Sequence, residues 1–248
     1  MVFKHCHLVH KAARLASVAG VVGILSGCQA IINSPPLSQV RIITVSHDAP
    51  GLDIYQGDNA LTFNLGSGTI TSYIPIAPGT YTINAEVSGS RQVLSAAKAT
   101  FAPSAQYTVL IGNSIANLQQ LTLTDQSQPA PSGQISLRFL HQAMRSSAVD
   151  IYLVPAGQRL TAVTPLITGV VFGANTGYLN IPVGTYTLVM LPAGTVPIST
   201  TAATYTGAQF NYPAGAARTI ILIDQQLATT PGLQVITADD FDSPAAIN

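Results

Sequence analysis

The chain has very few of the side chains on which enzyme and metal chemistry usually depend. Of its 248 residues, two are cysteines, none is tryptophan and 8% are charged, against about 25% charged residues in ordinary soluble proteins. The residues after Cys28 contain no cysteine, which excludes a disulfide framework, a thiolate nucleophile and a cysteine metal site there. The fold must therefore rest on burial alone, and roughly 200 residues are enough for one or two hydrophobic cores.

Basic residues are scarce as well, and they form no block. Lys4, Lys11 and Arg14 belong to the first segment; without them, seven basic residues face ten acidic ones, a formal balance of −3. This charge argues against nucleic acid as a partner. No glycine-rich phosphate loop and no heptad run is visible, so no cofactor is predicted.

What the N-terminus does have is the pattern of a secretory signal. The uncharged apolar run from Leu15 to Leu25 follows the basic residues and leads into Ser26, Gly27 and Cys28. The run is about half the roughly 20 residues that span a bilayer. We interpret residues 1–27 as a signal peptide and residues 28–39 as a tether. Plain secretion with an incidental cysteine, and a retained transmembrane helix, are the alternatives.

The four residues Leu25-Ser26-Gly27-Cys28 resemble the lipobox of bacterial lipoproteins. The resemblance implies that Cys28 becomes the first mature residue, acylated on its sulfur and then on its freed amine. The expected partner is then a membrane, bound through this lipid. Gln29, rather than an aspartate, follows the cysteine, which by analogy with enteric bacteria favours the outer membrane. The predicted location is the cell envelope, with the periplasmic or surface face left open.

From Val40 onward, short runs rich in valine, isoleucine, threonine and tyrosine are broken by turn residues. Between Thr80 and Val87, apolar and polar residues alternate, which predicts a strand with Tyr81, Ile83 and Ala85 buried and Glu86 toward water. The candidate strands in the first half are Val40–Ser46, Leu52–Gln56, Ala60–Leu65, Thr71–Pro75, Gly79–Val87, Gln92–Phe101, Gln106–Ile111 and Gln120–Thr124. No long helical pattern separates them, so the predicted class is all-β.

The second half of the chain repeats the first. Arg41 to Tyr55 reads RIITVSHDAPGLDIY, and Arg138 to Tyr152 reads RFLHQAMRSSAVDIY. Two further matches pair Tyr73–Ile83 with Tyr178–Leu188, and Tyr107–Ile111 with Arg218–Leu222. A period near 100 residues is typical of tandem domains.

The repeat predicts two tandem immunoglobulin-like or transthyretin-like β-sandwich domains after a lipoprotein signal peptide. We place the first at residues 40–126 and the second at 135–242. A proline-containing linker covers 127–134, and a tail covers 243–248. Each domain is expected to fold separately.

At these residues the chain resembles the domain of unknown function 4397 (DUF4397) family of bacterial cell-surface proteins and lipoproteins. The residues that match its opening signature are Arg41, Ser46, Asp48, Ala49, Pro50, Asp53 and Tyr55. The second copy keeps Arg138, His141, Asp150 and Tyr152 but has lost the Ser-Pro-Asp-Ala-Pro turn. The resemblance implies a fold and a surface location. It implies no activity, because the family has no established one.

Candidate chemistry is sparse. Ser46, His47 and Asp48 have the residue types of a hydrolytic triad, but neighbouring strand residues point to opposite faces. We interpret them as a strand leading into a turn that Asp48 fixes by bonding the backbone two residues on. His47 and His141 are the only histidines after the signal, too few for a zinc site. Calcium is a weaker alternative at Asp48, Asp53, Asp58 and Asn59, where no EF-hand spacing appears.

The most regular charged positions are Arg41 with Asp53 and Arg138 with Asp150, which we expect to form a salt bridge in each repeat. Four recurring tyrosines are expected to be core residues with a bonded hydroxyl: Tyr55, Tyr81, Tyr152 and Tyr186. The acidic residues near the C-terminus are expected to be solvated: Asp239, Asp240 and Asp242.

These observations predict a protein that is not an enzyme, with no catalytic residues and no metal site. The expected role is a surface scaffold or a recognition and adhesion module, whose ligand the sequence does not identify. One alternative is a carbohydrate- or polymer-binding module, and a second is a hydrolase that uses serine with a distant histidine. Possible partners are another envelope protein or a glycan.

Overall fold

A computed structural model describes residues 35–225 and 233–241 of the chain. This part of the chain is built from strands, with two short 3-10 turns at Ile115–Asn117 and Leu160–Ala162. None of its segments is a helix long and apolar enough to cross a membrane. The strands are β1 (Ser38–Thr44), β2 (Leu52–Gln56), β3 (Asn59–Leu65), β4 (Thr69–Ile70), β5 (Ile74–Ile76), β6 (Gly79–Val87), β7 (Val93–Phe101), β8 (Gln106–Gly112), β9 (Gln119–Thr124), β10 (Gln134–His141), β11 (Val149–Pro155), β12 (Ile167–Val170), β13 (Asn175–Pro182), β14 (Gly184–Pro192), β15 (Tyr205–Tyr212), β16 (Ala217–Asp224) and β17 (Leu233–Phe241).

The two repeats have the same topology. In the first, an inner sheet has the order β4-β1-β8-β9, with β5 also paired to β1, and an outer sheet has the order β3-β2-β6-β7. In the second, the inner sheet is β13-β10-β16-β17 and the outer sheet is β12-β11-β14-β15. The strand pairs β1–β8 and β10–β16 are parallel, and Arg41 opposite Thr108 corresponds to Arg138 opposite Thr219. The all-β class and the tandem duplication are confirmed.

Each repeat closes a hydrophobic core between its inner and outer sheets. In the first, β1 contributes Val40 and Ile42, and β6 contributes Ile83 and Ala85, as the alternation predicts. The second core has the same construction around Leu137 on β10. Glu86 differs from the prediction that it faces water: it is only 6% exposed.

A third cluster joins the two repeats, and we call it the inter-repeat cluster. Its members come from the outward faces of both inner sheets: Ile43, Val45, Leu110, Leu123, Leu140, Ile221, Ile223 and Ala238. The layers therefore follow one another as outer, inner, inner and outer sheet. β1, β8, β10 and β16 are consequently buried on both faces, which explains continuous apolar runs such as Ile220–Ile223. The chain from Leu37 onward forms one compact unit that includes both repeats.

The recurring Gly-Thr-Tyr sequence has a local structural reason. The ring of Tyr81 folds back over Gly79, and the ring of Tyr186 folds back over Gly184. A Cβ atom added to either glycine would lie 3.0 or 3.1 Å from the tyrosine ring or hydroxyl. The Tyr186 hydroxyl donates to the Pro182 carbonyl at 3.0 Å. A larger residue at either strand start would have to displace the aromatic ring slightly, which favours glycine there.

Candidate functional site

The residue predicted to carry the lipid, Cys28, lies outside the described residues. So do the predicted signal peptide, residues 28–34 of the predicted tether with Gln29, Asp242 and the tail at 243–248. Residues 127–133 of the predicted linker lie between β9, which ends at Thr124, and β10, whose first residue is Gln134. The remaining candidate residues are all described.

Ser46, His47 and Asp48 lie in the turn that follows β1 and do not form a triad. The Ser46 hydroxyl donates to Asp48 Oδ1 at 3.0 Å, and the Ile115 amide donates to the same oxygen at 2.9 Å. Burial acts to raise the pKa of Asp48, but these two donors hold it below its ordinary value. Asp48 thus fixes the turn, but through Ile115 on a distant loop rather than through the backbone two residues on.

The described residues contain no group of three or more histidine, cysteine, aspartate or glutamate side chains able to hold a metal. His141 is 1% exposed, and its Nε2 lies 3.3 Å from the Ser147 carbonyl oxygen. Asp53 accepts the backbone amides of Asn64 at 2.8 Å and Gly89 at 3.1 Å. Burial acts to raise the pKa of Asp53, and these amides lower it. Asp48 and Asp53 therefore serve as loop anchors.

The predicted salt bridges Arg41–Asp53 and Arg138–Asp150 are wrong. Asp53 anchors two loops, and Asp150 likewise accepts the amides of Gly169 at 2.7 Å and Gly194 at 2.8 Å. Arg41 alternates with core residues on the inner sheet, and Asp53 alternates with core residues on the outer sheet. Both side chains therefore point away from the core that separates them. The same geometry holds in the second repeat.

Arg41 instead enters a buried polar network between the repeats. Its Nε and Nη2 atoms donate to Thr108 Oγ1 at 3.1 and 2.7 Å. Two further partners belong to the second repeat: Nη1 donates to the Asp239 carbonyl at 2.9 Å, and Nη2 contacts Asp240 Oδ1 at 2.5 Å. Nη2 also lies 3.4 Å from Asp125 Oδ2 of the first repeat. The guanidinium carbon lies 4.8 Å from the centroid of the Tyr73 ring.

Arg138 makes the corresponding contacts in the opposite direction. It donates to Thr219 Oγ1 from Nε at 2.9 Å and from Nη2 at 2.7 Å. It then crosses to the first repeat, where Nη1 donates to the Thr124 carbonyl at 3.1 Å and Nη2 contacts Asp125 Oδ1 at 2.6 Å. Its guanidinium carbon lies 4.7 Å from the Tyr178 ring centroid. The two repeats therefore exchange carboxylates, as in an isologous two-fold interface.

The carboxylates of this network are saturated with donors. Asp125 Oδ2 accepts the hydroxyls of Tyr73 at 2.8 Å and Thr108 at 2.6 Å. Asp240 Oδ2 accepts Tyr178 at 2.8 Å and Thr219 at 2.6 Å. Such full satisfaction is what a charged group needs in order to be buried.

Burial also shifts the proton equilibria of the network. It raises the pKa of Tyr73 and of Tyr178 above the ordinary tyrosine value. It raises the pKa of Asp240 against the opposing effect of Arg41. For Arg41, burial acts to lower the pKa, but the opposing effects of Asp240, Tyr73 and Asp125 raise it above its ordinary value. The arginine therefore stays charged, and its role is to hold the repeats together.

The expectation of a solvated acidic tail is therefore wrong for Asp240, which is 3% exposed. It lies on β17, the last strand of the second inner sheet, and faces the first repeat. Asp239 points the other way: its side chain is 53% exposed and binds Arg218 Nη1 at 3.0 Å. Strand alternation separates the two neighbours.

The recurring tyrosines have different environments in the two repeats. Tyr152 is 2% exposed and packs in a cluster with Val154, Val189 and Leu191 on the second outer sheet. Its counterpart Tyr55 is only partly buried and packs edge-on against Phe63. Neither tyrosine belongs to a core between two sheets. The core interpretation holds for the other recurring pair, Tyr81 and Tyr186, which pack against the two cores and whose hydroxyls contact the Pro78 and Pro182 carbonyls.

The described residues include two surface cavities with room for a ligand. A cleft of about 200 Å³ lies between the repeats, and its lining includes Asn113, Gln120, Gln142 and Phe172. None of its lining residues carries a charge. A groove of about 150 Å³ lies at the edge of the second sandwich, lined by Tyr205, Phe210, Tyr212 and Arg218 among others. Sequence reasoning found neither, because amides and aromatic residues scattered over several strands form no motif.

Comparisons with known proteins agree with the duplicated architecture. The family model described as Domain of unknown function (DUF4397) matches residues 38–152 and 156–247. No curated protein matches the chain.

Two solved structures are similar to the chain at a low level. The Bacillus anthracis TIE protein is 9% identical with a TM-score of 0.23, over 82% of this chain and 44% of that one. The chain therefore spans less than half the length of that protein. CBMbc, of family CBM26, from Eubacterium rectale Amy13K in complex with maltoheptaose, is 11% identical with a TM-score of 0.23, over 84% of this chain and 98% of that one. Similarity this low carries no argument about function. The family match covers most of the chain in two segments, and the chain therefore belongs to the DUF4397 family, with two tandem copies.

Proposed function

We propose that the chain is a lipid-anchored protein of the bacterial cell envelope, whose double sandwich acts as a non-catalytic scaffold or recognition module. The observation that carries this proposal is that the buried carboxylates make structural hydrogen bonds. A catalytic site requires ionisable groups that face a cavity with a perturbed pKa. Here the buried aspartates accept hydrogen bonds from backbone amides or from the side chains of the polar network between the repeats: Asp53, Asp125, Asp150, Asp224 and Asp240.

The hydrolase alternative gains no support from the geometry. The Ser46 hydroxyl donates to Asp48, and among the described residues no hydrogen bond connects it to a histidine. His141 lies on the second repeat with its Nε2 directed to a backbone carbonyl. A serine nucleophile needs a histidine base within hydrogen-bond reach. The geometry of these residues therefore does not favour a serine hydrolase.

The anchor rests on the segment from Leu15 to Cys28, which has the order of a lipoprotein signal. Two or more acyl chains give durable attachment, because each buried methylene contributes about 0.8 kcal/mol. The first strand begins at Ser38, so the chain between Cys28 and β1 limits the distance from membrane to body to about 35 Å. The module would then act close to the membrane surface. Gln29 favours the outer membrane.

The experiment that tests the anchor compares the chain's two cysteines. Cells that express the wild type, Cys28→Ala or Cys6→Ala are labelled with a palmitate analogue and then fractionated. We expect Cys28→Ala to lose the label and to leave the membrane fraction or remain unprocessed. Cys6→Ala is the matched control, because Cys6 lies in the segment that is removed, and it should behave as the wild type. Unchanged labelling of Cys28→Ala would refute the anchor.

The carbohydrate-binding alternative remains compatible with this proposal, and one observation favours it. The uncharged cleft between the repeats presents side-chain amides and a partly exposed aromatic ring. Such a lining suits an uncharged carbohydrate as the ligand of the recognition module.

A further inference from the structure

We propose that the cleft between the two repeats binds a short segment of a neutral glycan. The inference rests on the proposed function, since it names the ligand class of the recognition module. It does not depend on the lipid anchor, and the two can fail separately.

The cleft exists only because the two repeats pack against each other. The first repeat supplies Asn113 after β8, and Gln119 and Leu121 on β9. The second supplies Gln142 after β10 and Phe172 before β13. The carboxylate exchange and the inter-repeat cluster fix these elements relative to one another. The site is therefore preorganised, which lowers the entropy cost of binding.

The polar lining suits a ligand that donates and accepts hydrogen bonds without charge. Asn113, Gln119 and Gln142 each carry an amide oxygen that accepts and an amide nitrogen that donates. A sugar hydroxyl also donates and accepts, so adjacent hydroxyls match adjacent amides. An ionic ligand would lose its hydration here without meeting an opposite charge, which disfavours it.

Strand alternation decides which β9 side chains face the cleft. Leu121 lies opposite Leu110 of the inter-repeat cluster, so Leu121 and Gln119 share the face toward the second repeat. The Gln120 side chain lies on the other face, where its Nε2 donates to the Ile83 carbonyl of the outer sheet at 3.1 Å. Gln119, rather than Gln120, is therefore the amide that β9 presents to a ligand.

The apolar lining supplies the other half of sugar recognition. Phe172 and Leu121 are each 39% exposed. The ring of His141 lies edge-on to Phe172, with centroids 6.5 Å apart, and supports it from the second repeat. An aromatic ring beside polar groups matches a sugar, which has C–H groups on one face and hydroxyls at its edge. The cleft, at about 200 Å³, is smaller than the pockets that hold drug-sized ligands, so it suits a single ring of a longer chain.

The test titrates the full chain, purified in a detergent without a sugar head group, by calorimetry and by ligand-observed NMR. The neutral probes are oligomers of α-1,4-glucose, β-1,4-glucose and β-1,4-N-acetylglucosamine. Oligogalacturonate, chitosan oligomers and an alanine peptide are the charged and peptide probes. We expect at least one neutral oligomer to bind with a Kd of about 1 mM, as the small contact area allows. The charged and peptide probes should not bind.

Four variants locate the site. Phe172→Ala and Gln142→Leu should each weaken binding by about tenfold or more, with unchanged thermal unfolding. Phe63→Ala is the matched control, because this phenylalanine is 61% exposed on the outer sheet of the first repeat. Phe210→Ala probes the aromatic groove. The proposal is overturned if no neutral oligomer binds, if the peptide or a charged oligomer binds instead, or if Phe210→Ala abolishes binding while Phe172→Ala does not.

These outcomes are separate from those of the palmitate experiment. Loss of glycan binding leaves a lipid-anchored scaffold without this ligand. Loss of the anchor leaves a glycan-binding module that is secreted.

Discussion

Removing the Asp240 carboxylate would leave the Arg41 guanidinium buried without its nearest acidic partner. The Arg41 side chain is 3% exposed, so water cannot replace the carboxylate. The hydroxyls of Tyr178 and Thr219 would lose their acceptor as well. Breaking a buried ion pair from one side costs about 3–5 kcal/mol. Arg41 keeps a 3.4 Å contact with Asp125, so we expect Asp240→Ala to lower the free energy of unfolding by about 3 kcal/mol.

Urea unfolding measures this loss. The chain has no tryptophan and nine tyrosines, so tyrosine fluorescence and far-UV circular dichroism are the suitable probes. With a urea dependence of about 2–3 kcal/mol per molar, the unfolding midpoint should fall by about 1–1.5 M. Asp239→Ala is the matched control, since its side chain is 53% exposed and a surface pair contributes about 0–1 kcal/mol.

A double variant shows whether Asp240→Ala destabilises the protein by leaving a buried charge unpaired or by removing packed side-chain volume. Arg41→Met combined with Asp240→Leu removes both charges and keeps apolar volume, so it should be more stable than Asp240→Ala alone. The reasoning is refuted if Asp240→Ala and Asp239→Ala cost the same, or if the double variant is no more stable than the single one.

Three further predictions concern other described residues. Asp150→Ala should lower the free energy of unfolding by about 2–3 kcal/mol, because the amides of Gly169 and Gly194 lose their acceptor. Asp58→Ala, at an exposed position, should leave the free energy of unfolding unchanged in the same urea assay. Equal effects of the two substitutions would contradict the anchoring role of Asp150. Burial lowers the pKa of His141 below 6.5, against the opposing effects of the Ser147 carbonyl and Asp224, so the unfolded state binds a proton first and stability should fall as pH decreases below 6.5. His141→Asn should flatten the stability profile below pH 6.5, and an unchanged slope would show that another group titrates. When residues 35–126 and 134–248 are produced separately, each fragment should expose its half of the inter-repeat cluster. The two fragments should form a 1:1 complex when mixed, which analytical ultracentrifugation detects. Fragments that stay monomeric after mixing would contradict the importance of that cluster.

The strands and their duplication could be predicted because they depend on local pattern. β6 alternates apolar and polar residues, and the two Asp-Ile-Tyr segments occupy the same place on β2 and β11. The packing of the two repeats could not be predicted in this way, since it depends on residues far apart in the chain. Arg41 was paired with the nearby Asp53, whereas its partner Asp240 lies 199 residues away.

A signal for the network was nevertheless present in the repeat. Thr108 aligns with Thr219, and Tyr73 with Tyr178, so the hydroxyls that surround the two arginines recur in register. The continuous run Ile220–Ile223 does not alternate, which is typical of a strand buried on both faces. Taken together, these features indicate that each inner sheet has a covered outer face. Asp240 was misread because its acidic neighbours suggested a solvated tail.

The candidate cleft could not be found from sequence for a different reason. Its amides come from both repeats and belong to no spacing rule, and uncharged side chains give no electrostatic pattern. Only the packing of the inner sheets brings Gln119 and Gln142 to one cavity.

Because each repeat supplies the carboxylate that binds the arginine of the other, the packing of the repeats does not depend on protein concentration. A protein with one copy would cover its arginine and its outward inner face only by forming a homodimer, which separates at low concentration. Joining the copies in one polypeptide makes the same association intramolecular, with an effective concentration in the millimolar range or above. Even at high dilution, each molecule would thus keep its two repeats packed together.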